Sequence, residues 1–252
     1  MTSYFEAFKD LLFPPFCLGC ERWLESSRLP LFCSDCLSQL AFIQSPICRC
    51  CGVPFLVGAD HLCGDCLTAH YAFDLARSLW PYQPPVSTLI HALKFQGNLT
   101  GLATLGWLAA GSDCIKQFVE PDLIVPVPLF LGRLRERGFN QALVIAQGCF
   151  PQWRNRIDSG VLFRTRATVP QSSLSGKERR RNLHKAFSLS DFSKVNGKRI
   201  LLVDDVFTTG STINECCKTL RLAGAARIEC FTLARSLVRG STGPAPVVMA
   251  AL

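Results

Sequence analysis

Four Cys-x-x-Cys pairs stand within the first 66 residues of the chain: Cys17/Cys20, Cys33/Cys36, Cys48/Cys51 and Cys63/Cys66. Eight thiolates at this spacing are enough for two tetrahedral zinc sites of four cysteines each. The reason is local. A C-x-x-C turn puts two sulfurs on one side of a tight loop, and two such loops complete a tetrahedron at about 2.3 Å from the metal. Gly19, Gly52 and Gly64 lie inside or just after three of these turns. Disulfides are the competing use of paired cysteines, but nothing marks the chain as secreted, and thiols stay reduced in the cytosol. The gaps between pairs, 12, 11 and 11 residues, do not separate sequential sites from a cross-braced arrangement. The sequential grouping, Cys17/Cys20/Cys33/Cys36 and Cys48/Cys51/Cys63/Cys66, is the expectation. Cys50 is a ninth thiol outside both sets. Cys114, Cys149, Cys216, Cys217 and Cys230 have no ligand spacing and read as small apolar core residues. The zinc is expected to be structural, since a segment too small to bury a core gains its folding free energy from the metal.

The chain around this module is long enough for a full core. Of its 252 residues 48% are apolar and 18% charged, which excludes a disordered polymer. No apolar run reaches the length of a membrane span. The first sixteen residues carry Glu6 and Asp10 in their apolar part and have no basic start, unlike a signal peptide, so a cytoplasmic protein is expected. Charge is divided unevenly: residues 1–73 carry net −3 and residues 74–252 net +11. A basic excess of that kind suits phosphate, on a small ligand or on nucleic acid.

After residue 72 the pattern becomes α/β. Leu89, Ile90 and Leu93 keep a helical period behind Pro84-Pro85. Residues 99–118 read as one helix, weakened by Gly101, Gly106 and Gly111. Residues 122–128, DLIVPVP, read as a buried strand ended by prolines, and residues 138–150 as a helix. Residues 160–165 are strand-like, and 167–178 read as a polar loop. RILLVDDV (199–206) is a buried strand. A helix follows, with Ser211 or Thr212 as N-cap and Gly224 at its end, and RIECFTLAR (227–235) is the next strand. Strands alternating with helices predict a mainly parallel sheet with flanking helices. The expected division is an N-terminal helix and double zinc-ribbon-like module over 1–72, an α/β domain over 73–236 and a loose tail over 237–252.

The most informative stretch is ILLVDDVFTTGST, residues 200–212. A buried strand delivers Asp204 and Asp205 to its C-terminal end, the edge at which open α/β sheets bind ligands. The backbone N–H groups of Thr208, Thr209, Gly210, Ser211 and Thr212, at a helix N-terminus, can cradle a phosphate. Two carboxylates beside that cradle call for a sugar diol or, through water, Mg²⁺. Together they describe a sugar phosphate. Solvated acids beside an ordinary helix cap are the plainer alternative.

This stretch resembles the phosphoribosyl-pyrophosphate (PRPP) motif of type I phosphoribosyltransferases. Pro126-Val127-Pro128, Arg137-Gly138-Phe139-Asn140-Gln141, the run from Arg164 to Gln171, Arg179 to Asn182 and HALKFQG at 91–97 extend the likeness. In this order, behind a cysteine-rich module, they resemble the ComF (GntX-like) family over residues 17 to about 235. The resemblance implies a type I phosphoribosyltransferase-like fold that binds PRPP with magnesium. It places Asp204 and Asp205 against the ribose and the following loop on the phosphate, and it makes Arg164, Arg166 and Arg179 pyrophosphate contacts. Arg133, Arg137 and Lys94 are weaker candidates. It also implies a role in DNA uptake during natural transformation, with single-stranded DNA and DNA-uptake proteins as partners. The alternatives are a phosphoribosyltransferase of unknown acceptor and a PRPP-sensing regulator without turnover. Trp107, Trp153 and Phe139 are candidates to stack on bases, with core packing the commoner use of such aromatics.

Overall fold

The computed structural model of the protein describes residues 16–24, 31–68, 71–95, 102–165 and 186–237. In chain order the elements are α1 (Ser34–Ser38), α2 (Gly64–Thr68), β1 (Leu75–Pro81), α3 (Val86–Phe95), α4 (Leu102–Ala110), α5 (Asp113–Lys116), β2 (Leu123–Pro126), α6 (Leu131–Arg137), α7 (Gln141–Cys149), a 3-10 turn (Pro151–Arg156), β3 (Leu162–Arg164), β4 (Phe187–Leu189), β5 (Arg199–Phe207), α8 (Ser211–Leu222) and β6 (Arg227–Arg235). Four strands form a sheet in the order β1-β6-β5-β2. All three pairings are parallel, with Asp204 opposite Thr232 and Val203 opposite Pro126. No described helix is long and apolar enough to cross a membrane.

Both faces of this sheet are covered, as a parallel sheet requires. Alternation along the strands separates two cores. Leu201, Val203, Phe231 and Leu233 face one, with Leu89, Ile90 and Leu93 of α3, Leu105 and Leu108 of α4 and Ile145 of α7. Ile200, Leu202, Ile228 and Cys230 face the other, with Ile213, Cys216, Cys217 and Leu220 of α8. The spacing in α3 and α8 is the i, i+3, i+4, i+7 stripe of a helix lying on a core. The cysteine-rich module is built into both layers. Cys17, Cys36, Phe32 and Phe42 belong to the first core, while Cys48, Cys51 and Phe73 belong to the second.

Several expectations are corrected. The single helix over 99–118 is two, α4 and α5, parted at Gly111-Ser112. Gly106 is needed inside α4, because a Cβ there would collide with the Gly148 carbonyl of α7. The helix expected over 138–150 starts at Gln141. Gly138, at φ 78°, instead closes α6 by donating its N–H to the Leu134 carbonyl. The strand at 160–165 shortens to β3, which pairs antiparallel with β4 in a separate two-stranded sheet. The N-cap of α8 is Gly210, not Ser211 or Thr212. The N-terminal helix, the loop at 167–178 and the tail beyond Leu237 lie outside the described residues.

Candidate functional site

The C-terminal ends of the parallel strands converge on one cleft of about 660 Å³. Each strand end feeds residues into its wall: Tyr82 after β1, Val127 to Phe130 after β2, Thr208 after β5 and Ser236 after β6. Asp204 and Asp205 line it as well. The Asp205 backbone N–H donates to Asp204 Oδ1 at 2.9 Å. Lys94, from the last turn of α3, pairs with Asp205 Oδ2 at 2.6 Å. Burial raises the Asp204 carboxyl, and the neighbouring Asp205 charge adds to this. The Asp205 N–H, Lys94 and Arg164 pull the other way, and the net result is about 8.

The turn after β5 is set by Gly210. Its φ of +72° is in the left-handed region, and a Cβ there would sit 2.6 Å from Cζ of Phe207. The glycine therefore lies directly on a buried aromatic ring. Ser211 opens α8 and is buried, its hydroxyl 2.7 Å from that of Thr209. Thr208, Gly210, Ser211 and Thr212 line the cleft; Thr209 is exposed beside it. The start of a helix of this length presents backbone N–H groups and a positive dipole end.

Cationic groups surround the carboxylates. Arg164, at the end of β3, lines the cleft with its guanidinium carbon 5.6 Å from the Phe187 ring centroid. Burial lowers its pKa. Arg133 and Arg137 reach the cleft from α6, with Glu136 between them. Lys94, Arg133 and Arg137, ranked below Arg164 on sequence grounds, thus share its cleft. Arg166 and Arg179 lie outside the described residues. Tyr82, Phe130, Glu136 and Ser236 were not singled out by sequence reading. The convergence of parallel strand ends would have pointed to Tyr82, Phe130 and Ser236; nothing in the run LGRLRER distinguishes Glu136. Asn140 caps α7: its Oδ1 accepts from the Ala142 N–H at 2.9 Å and its Nδ2 donates to the Val127 carbonyl at 3.0 Å. Gln141 is 4% exposed at the cleft wall. Trp153 stacks on Phe150 with ring centroids 5.6 Å apart, while Trp107 is half-exposed.

The eight paired cysteines gather into two groups, Cys17/Cys20/Cys33/Cys36 and Cys48/Cys51/Cys63/Cys66. In each, all four sulfurs lie within 4.8 Å of one another. The sequential pairing is the one the fold makes. Cys50 is in neither group, and Cys114, Cys149, Cys216, Cys217 and Cys230 are all buried. Backbone amides already point at the first sulfur of each set: Gly19 and Cys33 N–H at Cys17 Sγ (3.4 and 3.3 Å), and Cys51 and Cys63 N–H at Cys48 Sγ (3.5 and 3.4 Å). Burial raises these two thiols, but the amides outweigh it and bring both to about 6. Amides that favour thiolates, around four soft ligands gathered within 4.8 Å, fit zinc.

Comparison with known proteins agrees with both halves. Residues 8–67 match a double zinc ribbon domain, and residues 156–246 match a phosphoribosyl transferase domain. Competence protein F of Haemophilus influenzae is 36% identical over 226 residues, covering 87% of this chain and 96% of that one. DNA utilization protein YhgH of Escherichia coli K12 is 37% identical over 228 residues, covering 85% and 96%. Competence protein ComFC of Bacillus subtilis is 31% identical over 216 residues, covering 81% and 84%. With a double zinc ribbon fused to a phosphoribosyltransferase domain, and relatives of this identity along almost their whole length, the chain belongs to the ComF family.

Proposed function

We propose that the cleft binds PRPP with Mg²⁺ and that the protein serves the handling of incoming single-stranded DNA during DNA uptake. The observation that carries the ligand reading is the arrangement at the end of β5. Two adjacent carboxylates, a glycine turn at a helix N-terminus and the cations of Lys94, Arg133, Arg137 and Arg164 meet in one cleft. The carboxylates suit the ribose hydroxyls, the amides and hydroxyls of 208–212 suit the 5′-phosphate, and the arginines suit pyrophosphate by forked contacts. Mg²⁺ would offset the charge between pyrophosphate and the acidic pair. Arg166 and Arg179 would add to the pyrophosphate contacts. The DNA reading is supported by the names of the relatives and by the net charge of +11 on residues 74–252. Phosphate contacts supply most non-specific affinity for DNA.

The test pairs two titrations of the zinc-loaded protein. Calorimetry with Mg–PRPP is expected to show saturable binding that Asp204→Asn/Asp205→Asn abolishes. Fluorescence anisotropy with a labelled single-stranded oligonucleotide is expected to show binding that weakens steeply with salt. A folded wild type that fails the first titration overturns the ligand reading, and one that fails the second overturns direct DNA handling.

A further inference from the structure

Two buried arginines face the second cysteine group, and among the described residues neither has a carboxylate partner. Arg235, 7% exposed at the end of β6, donates through Nη1 to the Cys51 carbonyl at 2.7 Å and through Nη2 to Cys51 Sγ at 3.4 Å. Arg77, 8% exposed on β1, donates to the carbonyls of Cys48 (3.4 Å), Cys50 (3.5 Å) and Arg49 (3.2 Å). A buried guanidinium without a counter-charge is costly. Four thiolates around one Zn²⁺ carry a net charge of about −2, which two arginines balance. The first cysteine group is different: its nearby Arg22 is exposed and paired with Asp35 at 2.9 Å.

Arg235 also reaches the other way. Its guanidinium carbon lies 4.3 Å from the centroid of the Phe207 ring. Phe207 is the ring on which Gly210 rests, with no room for a Cβ between them. The Ser236 N–H donates to the Phe207 carbonyl at 2.9 Å, and Ser236 lines the cleft. A continuous set of contacts therefore runs from Cys51 through Arg235 and Phe207 to the turn at 208–210.

We infer that Arg235 is a positioning residue that couples the second zinc site to the phosphate-binding turn, so that metal in the Cys48/Cys51/Cys63/Cys66 group and ligand in the cleft stabilise each other. This rests on the cleft being the sugar-phosphate site proposed above. The second zinc site is then a foundation of the phosphate-binding turn, whereas the first cysteine group packs in the core with α3 and, among the described residues, has no such arginine bridge to that turn. Reciprocity follows from linkage: if the metal favours the ligand-competent turn, the ligand must favour retention of that metal.

The experiment follows zinc release from the full-length protein to a chromogenic chelator. Loss of a group that holds a metal ligand from outside commonly weakens binding about 10- to 100-fold. Arg235→Met is therefore expected to release one of the two zinc ions at least about tenfold faster and to leave the other unchanged, whereas Arg22→Ala changes neither. Saturating Mg–PRPP is expected to slow release of that same ion in the wild type and to lose this effect in Arg235→Met. With cobalt in place of zinc, the ligand should shift the thiolate-to-metal absorption of the wild type only. Wild-type release rates in Arg235→Met overturn the inference. If that variant does not fold, the wild-type release rates with and without Mg–PRPP decide alone. A wild type that binds Mg–PRPP by calorimetry but releases both ions at unchanged rates overturns the coupling and spares the cleft reading. No calorimetric binding overturns the cleft reading, and the coupling with it.

Discussion

Asp204 sits where burial and a second carboxylate make ionisation costly, and its carboxyl holds a proton up to about pH 8. In the unfolded chain the same group ionises near pH 4. Its folded-state pKa is thus raised, so its contribution to stability is full below about pH 4 and is lost as the pH rises through about 8. Asp204→Asn cannot ionise. It is expected to melt several degrees above the wild type at about pH 8, with the gap narrowing by about pH 5. Equal gaps at both pH values would contradict this assignment. Gly210 is the second decisive residue. Gly210→Ala brings a Cβ to 2.6 Å from the Phe207 ring at a φ of +72°. It should cost roughly 1–3 kcal/mol in a thermal or denaturant melt and weaken Mg–PRPP binding in calorimetry. At this scale the motif is readable because its chemistry lies in contiguous residues. The partner of Asp205 is less so: Lys94 comes from α3, far earlier in the chain, and only the fold brings it to 2.6 Å.

The elements that can be read from sequence are those whose apolar pattern is clean. β5 and β6 carry buried runs, and both faces of the sheet need them. β1 lacks a clean apolar run because Arg77 and Ser78 interrupt it. Both are buried with partners, Arg77 on the carbonyls of the cysteine module and Ser78 hydrogen-bonded to the Thr232 hydroxyl at 2.6 Å. α6 is illegible for the opposite reason: it buries no residue, so no apolar face announces it, although it carries Arg133 and Arg137 to the cleft. The start of α7 depends on Asn140, which caps the helix and ties it to the Val127 carbonyl in the cleft wall. Asn140→Ala is expected to lower stability by about 1–2 kcal/mol in a denaturant melt. A change within error would mean that the cap contributes little.

Across the whole molecule the cysteine module and the sheet are interlocked, since each cysteine group belongs to the core on a different face of the sheet. This is not legible from the cysteine spacing, which describes ligands and not what they pack against. Removing zinc should therefore destabilise more than the module. A strong chelator is expected to lower the melting temperature of the entire protein in one cooperative transition, read by circular dichroism. A sheet transition unchanged by zinc removal would contradict the shared cores. The central claim is that the turn after β5 is a phosphate cradle in a sugar-phosphate cleft. Its most direct test is ³¹P NMR of PRPP titrated with the zinc-loaded protein and Mg²⁺. The 5′-phosphate resonance is predicted to shift and broaden with the wild type and to move much less with Gly210→Ala at the same protein concentration. A 5′-phosphate line unmoved by folded wild-type protein would contradict the account.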